Sequence, residues 1–164
     1  MGQLDNLDLV PNVKLDIQTA LDSNKENPKQ LFEAISYEYQ TKTNQRDKLI
    51  IKAFTTFCIK TLNIKNETPK IILLNKDNQL DVTTGAFDRQ DNVWARFEGR
   101  AIIDVLRTIA HELVHMQQIE TGKFGPNDPV QDVGGYIENE ANAMAGELIK
   151  TFKNEYDCKW IYKI

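Results

Sequence analysis

Apolar positions in this chain recur at steps of three and four over its second quarter and its last third, with short alternating runs between. Leu49, Ile50, Ala53, Phe54, Phe57 and Ile59 give a broad apolar face and predict a helix over residues 44–62. Lys48, Lys52 and Lys60 fall largely off that face, as expected for a helix packed over a sheet. Ile102, Leu106, Ile109, Leu113 and Met116 predict a second helix over residues 101–120. Ile137, Ala141, Met144, Leu148 and Phe152 predict a third from 136 to 152 or a little beyond. Ahead of these, residues 1–12 read as a lead-in ending at Pro11, followed by a short helix over 12–21. After the polar run 22–27, Pro28 suits the first turn of another helix. Its pattern (Leu31, Phe32, Ile35) gives way to alternation at Tyr37 and Tyr39.

Strand signals occupy the middle. Residues 69–74 are a short run rich in β formers, closed by a polar turn at 75–78. Residues 82–87 and 93–97 flank the polar stretch 88–92 and predict an antiparallel hairpin. In the second of these, Val93, Ala95 and Phe97 share one face and Trp94 and Arg96 the other, which sheet packing explains. Residues 121–135 hold four glycines and two prolines and predict a long loop. The tail 158–162 suits a closing strand or an apolar cap. The expected fold is α+β: one domain over residues 1–164, with N-terminal helices packed on a small antiparallel sheet.

Composition narrows the function class. With 41% apolar and 27% charged residues the chain has a globular profile. A net charge of −4 and scattered lysines exclude a basic surface for nucleic acid or an anionic membrane. No apolar run approaches membrane-spanning length, and the first residues carry no signal segment, so a cytoplasmic location is expected. Cys58 and Cys158 show no metal spacing, and Cys58 lies in an apolar helical run that suggests a buried, inert thiol.

The candidate chemistry sits on the second helix. His111-Glu112-Leu113-Val114-His115 is an H-E-x-x-H pattern, and it uses both histidines of the chain. Asp104, Thr108, His111, His115 and Gln118 recur on the side opposite the apolar stripe, so the imidazoles share a polar face one turn apart. Glu112 is turned about 100° from His111 and points beside that ligand line. A catalytic zinc takes three protein ligands, and with neither cysteine well placed the third must be a carboxylate. The last helix offers Glu138 and Glu140, which flank its apolar stripe on opposite sides. Periodicity alone leaves both open.

The pentapeptide followed by Asn139-Glu140-Ala141 resembles the gluzincin metallopeptidases, the thermolysin-like class with two His and one Glu on two helices. The runs 104–115 and 138–145 are also similar to small zinc peptidases encoded by tailed bacteriophages. The Glu-Ala-Asn-Ala-Met-Ala part further resembles compact regulatory metallopeptidases that cut repressors. The resemblance covers roughly residues 82–150 and implies a zincin-like domain with two metal-bearing helices. It implies Zn2+ held by His111, His115 and Glu140, with Glu112 as general base in the hydrolysis of a peptide or protein substrate by a metal-activated water. It further implies that the strand just before the motif helix, residues 93–97, lines the cleft and pairs with extended substrate. Tyr136 and Arg100 are both candidate donors to the oxyanion. One departure stands out. Thermolysin-like enzymes carry an Asp four residues after the ligand Glu, where this chain has Met144, which leaves Asn142 as a candidate orienting partner. That departure motivates the alternative reading, an accessory or structural protein of phage type that zinc stabilises without turnover.

Overall fold

The computed structural model describes residues 35–129 and 135–156. The helices expected over 12–21 and from Pro28, the tail 158–162 and Cys158 lie outside the described residues. Along the chain come β1 (Ser36–Tyr39), α1 (Gln45–Thr61), β2 (Lys70–Leu74), β3 (Gly85–Phe87), β4 (Asn92–Arg96), α2 (Ile102–Glu120) and α3 (Tyr136–Tyr156). The fold is α+β, with four strands in the order β1-β2-β4-β3.

The sheet is mixed, which corrects the antiparallel expectation. β1, β2 and β4 are parallel, and only β3 runs antiparallel, against β4. Two connections account for this. α1 carries the chain back over the sheet between β1 and β2, the crossover that a parallel pair requires. Residues 75–84 do not fold β3 back onto β2 as a hairpin. The Asn78 side chain binds the Val82 N–H (2.8 Å) and C=O (2.9 Å), and Asp81 adopts a positive φ. That turn also shortens the strand expected from residue 82, which begins at Gly85. The hairpin between β3 and β4 is antiparallel as its spacing predicts, with Ala86 opposite Trp94.

Local chemistry sets the helix ends. Asn44 caps α1, its side-chain oxygen accepting from the Asp47 N–H at 2.7 Å. At the other end Asn63 takes a positive φ and donates to Lys60 O, while Ile64 donates to Ile59 O. That is the paired-bond C-terminal cap in which a left-handed residue turns the chain off the helix. α2 ends the same way, with Gly122 at φ 78 donating to Ile119 O and Lys123 to Gln118 O at 2.8 Å. The second bond fixes Lys123 over Gln118, a pairing the site uses.

The core lies between the helices and one face of the sheet. Ile71, Leu73, Val93 and Ala95 alternate onto that face and meet Phe54 and Cys58 of α1 and Leu106, Ile109 and Leu113 of α2. Phe152 of α3 stacks edge-on against Phe54 at 5.2 Å, and Tyr156 closes on Phe57 at 5.7 Å. The fully buried Phe54 and Phe152 each contribute about 1.5–3 kcal/mol of transfer free energy. Cys58 is a free thiol in this core, and burial raises its pKa well above the ordinary value, as suits an inert thiol. Among the described residues no helix is long and apolar enough to cross a membrane.

Candidate metal centre

The polar face of α2 does not face bulk solvent. It packs beneath α3 and beside β3 and β4, so that Gln118 is fully buried and His115 nearly so. α3 runs antiparallel to α2. Ile137 near its start meets Gln118, and Asn142, one turn further along than Glu138, hydrogen-bonds His111. Ala141 and Ala145 on the contact face are fully buried, which lets the two backbones approach closely.

Between the two helices three donors converge. His111 Nε2 and His115 Nε2 lie 3.1 Å apart, with their rings nearly perpendicular. Glu138 places Oε2 at 3.1 Å from the first and Oε1 at 2.9 Å from the second. Metal–nitrogen and metal–oxygen bonds of about 2.0–2.1 Å around a tetrahedral zinc would hold such atoms about 3.3 Å apart. The donor set therefore fits a small divalent cation in both chemistry and spacing. Among the described residues this trio is the group that could hold a metal ion.

Glu140, the ligand implied by the resemblance, is not brought to the histidines. Its carboxylate takes the Lys123 ammonium (2.7 and 2.8 Å) and the Gln118 side-chain amide (2.9 Å). Those two donors hold its pKa below the usual carboxylate range. The reason is geometric. Glu138 and Glu140 flank the buried stripe of α3 on opposite sides, and the side shared by Glu138 and Asn142 overlies His111 and His115. The side carrying Glu140 overlies the end of α2 instead.

Glu140 nevertheless belongs to the site, one step further out. Gln118 donates its amide to Ile137 O (3.1 Å) and to Glu140, which fixes which end of the carboxamide is oxygen. That oxygen lies 2.7 Å from His115 Nδ1. It can only accept, so Nδ1 donates to it and Nε2, on the side of Glu138 and His111, is left as the ring's ligating atom. Asn142 lies beside His111 and pulls its pKa up, as a neighbouring side-chain acceptor does. The sequence marks Gln118 only by its place on the histidine stripe. Gln118→Ala is expected to weaken zinc binding about 10- to 100-fold, as loss of an orienting partner commonly does. Competition against a chromophoric chelator measures this, and an unchanged affinity would remove Gln118 from the site.

Glu112 lines the cleft beside this trio. Burial, and secondarily the Glu138 charge, push its pKa up to about 8. The pKa of His111 is lowered, by burial first and the neighbouring His115 second, against the opposing pull of Glu138 and Asn142. A neutral imidazole is the form that ligates a metal. Gly85 of β3 is what allows the sheet to lie against this face. A Cβ there would stand 2.3 Å from the Thr108 methyl and 3.5 Å from Glu112 Oε1.

The cleft, about 720 Å3, is bordered by Ala86 and Phe87 of β3, the loop residues Lys123 and Phe124, and the start of α3. β4, expected to pair with substrate, is an interior strand with β2 on one side and β3 on the other. Among the described residues β3 is the edge strand on this side, with no partner beyond it. Bonds from Arg96 N to Thr84 O and from Asp88 N to Asn92 O show that Thr84, Ala86 and Asp88 pair inward. Gly85 and Phe87 therefore turn their backbone groups outward. Of the two candidate oxyanion donors, Arg100 is engaged elsewhere. Its guanidinium binds the carbonyls of Thr84, Arg96 and Asp104 and the Thr108 hydroxyl, tying the start of α2 to the hairpin. Tyr136 is exposed and lines the cleft, its hydroxyl 3.3 Å from Lys123 O. Comparison of the chain with family models, with curated proteins and with solved structures yields no match.

Proposed function

We propose that this protein is a zinc-dependent metallopeptidase of gluzincin type, a zincin-like domain whose ligands are His111, His115 and Glu138. The observation that carries the reading is the meeting of those three donors beside a buried Glu112, in a cleft flanked by a free sheet edge. A purely structural zinc is usually closed off by four protein ligands, whereas three donors facing an open cleft suit catalysis. The resemblance to small phage peptidases agrees with this motif order. A cytoplasmic setting, where Cys58 stays reduced, goes with the same reading.

Zinc held there would lower the pKa of a bound water and polarise the scissile carbonyl. The chain's own residues do the rest. Gly85 and Phe87 offer outward N–H and C=O groups to an extended peptide, which binds as an added strand. The Glu112 carboxylate accepts the proton of the attacking water and returns it to the leaving amine. Tyr136 lines the cleft with its hydroxyl donating to Lys123 O, a bond it would exchange for one to the oxyanion.

The test is metal content together with turnover. Protein purified without chelator is expected to carry close to one zinc per chain and to cleave unfolded protein substrates. Chelation should abolish cleavage and stoichiometric zinc should restore it. Full zinc loading with no cleavage across a broad substrate panel would leave the accessory-protein reading in its place.

A further inference from the structure

The cleft has two unlike ends. At one, β3 continues back through Thr84 with nothing bridging it to α3 among the described residues. At the other, just past Phe87, the hairpin turn is tied to the loop that follows α2. Arg89 in that turn donates through Nη1 to the carbonyls of Pro126 (3.3 Å) and Asp128, with Gly125 O at 3.5 Å. Its guanidinium also lies over the Phe124 ring, 5.2 Å from the centre, and that ring meets His115 edge-on at 6.0 Å. Arg89, Phe124, Asp128 and Pro129 all line the cleft. A continuous wall thus runs from the hairpin tip to a metal-donor histidine.

From this juxtaposition, and resting on the peptidase reading above, we infer that the cleft is blind at its Phe87 end and that the enzyme releases one or two residues from the amino termini of unstructured peptides. Three steps lead there. The free edge of β3 offers outward groups at Gly85 and Phe87, after which Asp88 N turns back to Asn92 O and the wall begins. Antiparallel addition is the more stable sense of pairing and sets the amino-terminal side of the substrate toward Phe87. Glu112 lies abreast of Gly85, so the reacting carbonyl sits beside residues 85–86, about one or two strand residues at roughly 3.4 Å each from the wall. Asp128 also lines the wall, exposed and with its carboxylate accepting from the Gly125 N–H, and a protonated amino terminus would be its ionic partner. The reaction itself is amide hydrolysis: the water oxygen joins the carbonyl carbon, the C–N bond breaks, and the leaving nitrogen takes the proton.

The experiment uses the full chain loaded with zinc, an unblocked unstructured dodecapeptide and the same peptide acetylated at its amino terminus. Products are followed in time by mass spectrometry. The expected early products are the peptide shortened by one or two residues at its amino end, with acetylation slowing the reaction at least about tenfold. Arg89→Ala, and independently Phe124→Ala, should open the wall and raise the ratio of internal to terminal cuts by about tenfold or more. Internal bonds cut by the wild type as fast as terminal ones would overturn the blind-cleft inference and leave the peptidase standing. Cleavage of neither peptide by the zinc-loaded wild type would overturn both. The wild-type product map decides the matter even if a variant does not fold.

Discussion

Glu138→Ala is expected to weaken zinc binding by about 100- to 1000-fold, while Glu140→Ala costs less than about tenfold. The first figure follows from structural zinc sites, where about 10–16 kcal/mol is shared over four protein donors, about 3 kcal/mol for each. Glu138 sits at 2.9 and 3.1 Å from the two histidine nitrogens. Glu140 acts at two removes, through Gln118 on His115, and Gln118 keeps its bond to Ile137 O when Glu140 is gone. Competition titration of both variants against the same chelator gives the ranking. A reversed order would return Glu140 to the coordination sphere and break the geometry argued here.

The same choice of ligand bears on the missing acid four residues after Glu140. Counted from Glu140, the fourth residue on is Met144, which cannot orient an imidazole. Counted from Glu138 it is Asn142, which hydrogen-bonds His111. On the proposed reading the orienting position is thus filled by an amide in place of the acid, though Glu138 stands outside the Asn139-Glu140-Ala141 run that carries the resemblance. A carboxamide gives His111 an acceptor without adding a negative charge near Glu112 and Glu138. That matters in a site where Glu112 is already pushed up to about 8.

The choice between Glu138 and Glu140 shows where the sequence stops being informative. Both lie beside the same buried stripe, and helical periodicity treats the two flanks alike. Which flank covers the histidines depends on how α3 lies across α2, a tertiary quantity with no local signal. The three helices themselves were legible to within a few residues, because apolar repeats over 17 to 21 positions outweigh any single residue. The strands were legible as segments but not as a sheet. β2 and β4 pair in parallel across 22 residues of sequence, Lys70 opposite Asn92, and nothing within either run announces a partner so far away. For the same reason β4 was expected at the cleft. Only the strand order puts β3 on the edge.

On the proposed reading Glu112→Gln should lower turnover by about 10²–10⁴ while leaving zinc bound, because the lost group would move protons and is not one of the three donors. The same substitution should raise the stability of the metal-free fold at alkaline pH. In the unfolded chain this carboxyl titrates near 4.5, and in the fold near 8. The folded state thus holds the proton more tightly. Its stability is full below pH 4.5 and falls as pH rises through 8, where a charge must sit among buried groups beside Glu138. Glutamine carries no such charge and shows no loss over that window. The gain above pH 8 is expected to be about 2 kcal/mol, less than the roughly 1.4 kcal/mol per pKa unit would allow, because the site relaxes around an ionised carboxylate. Chemical denaturation of both metal-free proteins across pH 4 to 9 measures it, and parallel profiles would show that Glu112 is not held in a costly environment. A cation between the histidines reverses the logic, since its charge favours the ionised form. With zinc bound the wild type should therefore recover most of the difference. A group that destabilises the empty fold and is restored by the metal is one retained for chemistry rather than for folding.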